Sequence, residues 1–193
     1  MASLILIKHS LPAIVPGLPA SQWQLSAEGR ARCRPLADAV AHYAPELIFA
    51  SAEPKAAATA QLLASHLNLG FRVVAGLHEH VRDKLPWLDE QTFAAQVAGF
   101  FAQPSRLVMG AETADQAHNR FAAAVDALVA AQPGRTLAVV AHGTVISLYV
   151  ARAAGVEPFS LWQRLGLPSF VVLTLPKRTL ITILDSLSSM RGP

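Results

Sequence analysis

Apolar residues gather in six short runs, at positions 4–7, 47–50, 71–74, 137–141, 171–175 and 180–184, each of strand length and most bounded by polar, glycine or proline residues. Stretches of helical period lie between them. Ser26-Ala27-Glu28-Gly29 opens the first with a hydroxyl cap and an acid in its first turn, predicting a helix towards His42. Glu53 and Pro54 open an alanine-rich helix towards His66, proline suiting a first turn. Two more helices are expected over 89–101 and 112–131, separated by the break Gln103-Pro104-Ser105. A fifth, over 144–154, follows the fourth strand directly.

Strands alternating with helices predict an α/β protein, a three-layer αβα build around a mostly parallel sheet of about six strands. The last two runs flank Pro176-Lys177-Arg178-Thr179 and read as a hairpin, so one edge is expected to be antiparallel. A single domain over residues 1–185 is expected. Residues 75–135 lack a clear strand and read as a helical insertion hanging over the sheet edge, and 186–193 as a frayed tail.

Composition narrows the classes. With 52% hydrophobic and 15% charged residues among 193, the chain has the means to bury a substantial core. Its net charge of +3 is spread along the chain, which argues against a nucleic-acid partner and is weak evidence for an anionic ligand. The lone Cys33 excludes an internal disulfide and a multi-cysteine metal site, and fits a reducing, cytoplasmic setting. The longest apolar stretches are broken by Lys8 and His142, so no membrane partner is expected. The first apolar run is too short, and its lysine too late, for an export signal.

Four strand ends carry chemistry. The first ends in Lys8-His9-Ser10, the second in Ala50-Ser51 with Lys55 in the next helical turn, the third leads to Leu77-His78-Glu79-His80, and the fourth ends in Ala141-His142-Gly143-Thr144. In a parallel sheet these ends share the edge where α/β proteins bind ligands. A neutral imidazole there is a competent nucleophile towards phosphorus. Lysines, a second histidine and a helix N-terminus neutralise phosphoryl oxygens. A carboxylic acid, with its pKa raised by burial or by the phosphate, protonates the leaving alkoxide and then takes a proton from water. Glu79 has that chemistry; Asp83 and Glu112 are alternatives.

These segments resemble, in order, those of the histidine phosphatase, or phosphoglycerate mutase-like, superfamily. Lys8-His9-Ser10 is similar to its Arg-His-Gly signature, Leu25-Ser26-Ala27-Glu28-Gly29 to its Leu-Thr-x-x-Gly segment, and the block from Ala50-Ser51 through Lys55-Ala56 to Thr59-Ala60 to its Ser-Ser-x-x-x-Arg-Ala-x-x-Thr-Ala run. Leu77-His78-Glu79 resembles its proton-donor segment, Gly110-Ala111-Glu112-Thr113 a Gly-Glu-Ser-like helix start, and Val139-Val140-Ala141-His142-Gly143 its second-histidine motif. The resemblance implies His9 as phosphoryl acceptor, Glu79 as general acid and base, and His142 as a catalytic and phosphate-binding partner. Lys8, Lys55 and Gly143, with Ser10 as a further candidate, would complete the phosphate pocket. No metal and no other cofactor are implied.

Two departures stand out. Lysines occupy both arginine positions, keeping the charge but losing the fork that grips two oxygens. Each charge-assisted contact is worth roughly 1.5–3 kcal/mol, and about 1.4 kcal/mol is tenfold in rate. Arg82 is the candidate to compensate. Leu11-Pro12-Ala13 also lacks polar side chains for the substrate.

Blander readings apply to several residues. Taken alone, His9 is a strand-end histidine, Ser51 a helix cap, and Lys8 and Lys55 solvated termini. His78 and His80 flank Glu79 at same-face spacing, but consecutive ligands converge poorly on a metal. His42, His66 and His118 read as surface residues, and Trp23, Trp87 and Trp162 as packing or pocket walls. The expected function is hydrolysis of a small phosphomonoester through a phosphohistidine on His9, with phosphate or sulfate as simple ligands. A catalytically weak anion-binding protein of the same fold is the alternative. A phosphomutase is third, since residues 75–135 carry no long basic segment for a bisphosphorylated sugar acid.

Overall fold

The computed structural model describes residues 2–186; all but the first residue of the expected C-terminal tail lies outside them. Six strands form one sheet: β1 (Ser3–Lys8), β2 (Leu47–Ala50), β3 (Phe71–Val73), β4 (Leu137–Ala141), β5 (Ser169–Thr174) and β6 (Leu180–Leu184), in the order β3-β2-β4-β1-β5-β6. The first four run parallel, whereas β5 pairs antiparallel with both β1 and β6. The α/β reading of the apolar pattern therefore holds.

Period-two alternation builds both cores. Leu4, Leu6, Leu137, Val139, Val171 and Leu173 face one side; Ile5, Ile7, Ile48, Ala138, Val140 and Val172 face the other. The second face is covered by α1 (Ala27–Ala41) and α2 (Pro54–Leu67), through Cys33, Leu36, Val40, Ala60 and Leu63. The first face is covered by α4 (Ala114–Ala131) and α5 (Gly143–Ala154), with α3 (Glu90–Ala102) and α6 (Pro158–Arg164) beyond. Each fully buried Leu or Ile stabilises the fold by about 1.5–3 kcal/mol, so neither face is dispensable.

Two expectations change. Residues 75–135 do not hang over the edge as a unit, because Phe121 and Val125 of α4 join the core cluster that contains Leu4 and Leu6. Their burial ties α4 to the sheet face. The short α6 was not anticipated, although Glu157 caps it by accepting from the amides of Phe159 and Ser160 and Pro158 sits in its first turn. It lies against α5 and α3, which brings Trp162 to the pocket at the sheet's carboxyl edge and the Leu165 carbonyl within reach of Lys8.

The glycine of Leu25-Ser26-Ala27-Glu28-Gly29 has a packing reason. A Cβ on Gly29 would lie 2.0 Å from the Leu11 carbonyl oxygen. That same carbonyl accepts from the Ser26 amide and hydroxyl, and the Ser26 hydroxyl caps α1 by accepting from the Gly29 amide. The helix start is thus the seat of the loop that follows His9.

Candidate active site

Register brings the two histidines together. Lys8 pairs with Ala141 across parallel β1 and β4, and the His9 amide continues the ladder to the Ala141 carbonyl at 3.0 Å. His9 and His142 therefore leave adjacent strands side by side, rings edge to face with centroids 5.2 Å apart. The Ser51 amide bonds the Val140 carbonyl, so the end of β2 arrives at the same height. Lys8, His9, Glu53, Lys55, His78, Glu79, Arg82, His142 and Gly143 all line one pocket of about 290 Å³.

His9 is buried, and its Nδ1 lies 2.8 Å from the Ser10 carbonyl oxygen. A carbonyl only accepts, so Nδ1 carries the proton and Nε2 the lone pair. Burial above all, with Lys55 and Lys8 adding repulsion, pulls the imidazole pKa down to about 3. The ring is neutral across the physiological range. His142 is also held neutral, mainly by burial and then by His9 and Lys55; its Nε2 meets the Ser51 hydroxyl at 2.9 Å, and its Nδ1 has no partner among the described residues. Ser51 thus orients His142 and does not cap α2, whose N-cap position is Glu53.

The cations are partly engaged. Lys8 donates to the Leu165 carbonyl at 2.6 Å and packs on Gly143, where a Cβ would stand 3.1 Å from the lysine Cε. Burial brings its ammonium down to about 8, against the opposing pull of Glu79. Lys55, only 4% exposed, donates to the Ala20 carbonyl and to Glu53. Neither lysine is a solvated terminus. Arg82 lies over the Phe93 ring, 5.0 Å from its centroid, and its Nη1 is buried without a hydrogen-bond partner among the described residues. Ser10 does not line the pocket: its hydroxyl donates to the Gly29 carbonyl and its amide to the Thr59 hydroxyl.

Glu79 reaches the pocket on a loop after β3. Its carboxylate accepts from the first-turn amides of α5, Thr144 at 3.2 Å and Val145 at 3.3 Å, and from its neighbour His80. Burial pushes its pKa up, but Arg82 and these amides outweigh that, and the net direction is down. A carboxyl raised in the resting site is therefore not what is found. The anion at the start of α5 is the protein's own, and Arg82 together with the helix-start amides holds it ionised.

A second layer fixes this loop. Glu112 and Arg120 form an ion pair at 2.6 Å; Arg120 also donates to the carbonyls of Gly76, His78 and Glu79, and Glu112 accepts from the Val81 amide. Glu112 is thereby committed to positioning and does not replace Glu79. His80 Nε2 faces the Met109 and Glu112 carbonyls, away from metal chemistry, and Gly110 at φ +73° lets that turn approach the His80 ring. Among the described residues no group of three or more His, Cys, Asp and Glu side chains is disposed to hold a metal.

The sequence model of the histidine phosphatase superfamily (branch 1) matches residues 19–179. The chain belongs to this superfamily. Among curated proteins, none matches it. Solved structures share the fold: mycobacterial glucosyl-3-phosphoglycerate phosphatase with inorganic phosphate, 22% identical over 95% of both chains with a TM-score of 0.71; phosphoserine phosphatase from Entamoeba histolytica with phosphoserine, 16% identical over 97% of this chain and 98% of that one, TM-score 0.76; and α-ribazole phosphatase from Shigella flexneri, 18% identical over 96% of both, TM-score 0.70.

The matched span of this superfamily member begins beyond His9, so His9 is tied to the site by sheet register. Glu53 and Arg120 escaped the sequence reading. Glu53 is buried, accepts the Glu79 amide at 2.8 Å through Oε1, meets Lys55 at 2.5 Å through Oε2, and lies 3.4 Å from His142 Nε2. Burial pushes its carboxyl pKa up, with Lys55 opposing. A glutamate beside Pro54 reads as a helix start; only the fold turns it inward.

Proposed function

We propose that this superfamily member hydrolyses a phosphomonoester through a phosphohistidine on His9. The observation that carries the reading is the His9 tautomer: anchored at Nδ1 and neutral, the ring offers Nε2 as nucleophile in a pocket with three cations. In the first step the Nε2 lone pair forms a bond to phosphorus as the ester P–O bond breaks. The leaving alkoxide takes the proton of the Glu79 carboxylic acid. Water then attacks the phosphoryl group and gives its proton back to Glu79, the P–N bond breaks, and inorganic phosphate leaves neutral His9 behind. Lys8, Lys55, Arg82 and His142 stabilise the phosphoryl oxygens. Because resting Glu79 is ionised, the incoming phosphate's charge and its competition for the α5 amides must raise its pKa before it can act as the acid.

One observation favours the second reading, an anion-binding protein with little turnover: Glu53 already neutralises Lys55. Incubation with a radiolabelled aryl phosphate separates the two. Hydrolysis and an acid-labile labelled protein in wild type, both lost in His9→Ala, are the expected result. Unchanged turnover in His9→Ala would overturn the phosphohistidine, and saturable phosphate binding without turnover would favour the second reading. Transfer of the label to an added alcohol would indicate a mutase.

A further inference from the structure

We propose that the outer half of this pocket is a subsite for an uncharged apolar group of about one ring, so that the preferred substrate is the phosphate ester of a small aromatic or alicyclic alcohol. This rests on the phosphomonoester reading and specifies its substrate class.

The lining divides by chemistry. Apart from Asp83, its charged and imidazole groups belong to the cluster around His9, whereas the remaining wall is formed by Pro12, Ala20, Trp23, Val81, Phe93, Trp162 and Leu167, with Ser21 between. Three aromatic rings come from three separate parts of the chain: Trp23 after the short turn Ala20–Gln22, Phe93 from α3 and Trp162 from α6. Phe93 and Trp162 are in contact, with centroids 6.0 Å apart, and Trp162 is backed by a parallel Phe159 at 5.9 Å. Trp23 meets Trp87 at 6.5 Å, and Trp87 is 70% exposed. Trp23, Phe93 and Trp162 are each only half-buried, so their remaining apolar surface faces solvent until a ligand covers it.

Charge narrows the ligand. Among the described residues the lysines and arginines in the lining are Lys8, Lys55 and Arg82; only Arg82 reaches the aromatic wall, over Phe93, and its charge is already opposed by Glu79, with Asp83 also in the lining, so a second phosphate or a carboxylate is disfavoured further out. A cationic head would meet Arg82, which already covers the face of Phe93. Size narrows it further. A pocket of about 290 Å³ is at the small end of the usual range of roughly 300–1,000 Å³, enough for a phosphoryl group and one ring.

The test compares 2-phenylethylphosphonate, ethylphosphonate and 3-phosphonopropionate by calorimetry, none of which can be hydrolysed. In wild type, the phenyl compound should bind about tenfold or more tightly than ethylphosphonate, and the carboxylate no better than ethylphosphonate. In Trp23→Ala and Trp162→Leu the phenyl preference should fall to about threefold or less. Reading a ratio within each variant cancels a general loss of folded protein or phosphate affinity. Equal binding of the phenyl and ethyl compounds, a preference that survives in both variants, tighter binding of the carboxylate, or no binding of any phosphonate each overturns the subsite. Turnover of 2-phenylethyl and ethyl phosphate, whose leaving alcohols have similar acidity, is measured in parallel. Binding preference without turnover of either ester retains the subsite and rejects hydrolysis. Equal kcat/KM for both esters does the reverse.

Discussion

Glu53 holds the Lys55 ammonium at 2.5 Å inside the pocket that also contains His9 and His142. In the proposed phosphate-binding role Lys55 would arrive with its own counterion, and an entering phosphate would have to share it. At an effective dielectric near 20, a like charge about 4 Å from a phosphate costs about 4 kcal/mol per unit of phosphate charge before screening.

Glu53→Gln should therefore tighten inorganic phosphate binding by about tenfold or more, since glutamine can still accept the Glu79 amide. Calorimetric titration at pH 7 checks this. Weaker binding would show that the carboxylate is needed to hold Lys55 in place.

Lys8 sets an alkaline limit. With its pKa pulled down to about 8, it is charged below that pH and loses its proton above it. The free-enzyme profile of kcat/KM should fall above pH 8, by about tenfold per unit if the charge is essential. In Lys8→Arg the guanidinium stays protonated and the fall should disappear up to about pH 10. An unaltered alkaline limb would assign the loss elsewhere. His9, already neutral above about pH 3, should contribute no limb between pH 4 and 8.

Glu79→Gln should discriminate leaving groups. Alkyl phosphates need a proton on the departing oxygen, and their turnover should fall by about 10²–10⁴. The burst of 4-nitrophenolate from its phosphate, which leaves without help, should be affected far less. Equal losses for both would remove Glu79 from the acid role.

Gly29→Ala tests the seat of the loop after His9. Helix propensity alone favours alanine by about 1 kcal/mol. The added Cβ would instead meet a backbone carbonyl at 2.0 Å, an overpacking that typically costs 1–3 kcal/mol or more. A lowered Tm is expected; a raised one would mean that the loop yields freely.

Much of this was legible because it is periodic or local. Apolar runs of strand length and stretches of helical period locate all six strands and the five longer helices, and the mostly parallel sheet follows from their alternation along the chain. His9, His142, Lys55 and Glu79 could be gathered from sequence because strand ends in a parallel sheet share one edge. The α6 helix was less visible, being only seven residues long.

What the chain alone determined, then, is which elements form and which reactive groups reach the carboxyl edge, since both depend on patterns within a few residues. Tertiary structure decided where each polar atom is directed. It turned Glu53 from a helix start into the partner of Lys55, gave Ser10 to Gly29 and Ser51 to His142, and placed Glu79 on the amides of α5. It also assembled Trp23, Phe93 and Trp162 from distant segments into one wall. The physical reason is range: hydrophobic period is set along the chain, whereas hydrogen bonds and charge pairing depend on neighbours that folding supplies from far away.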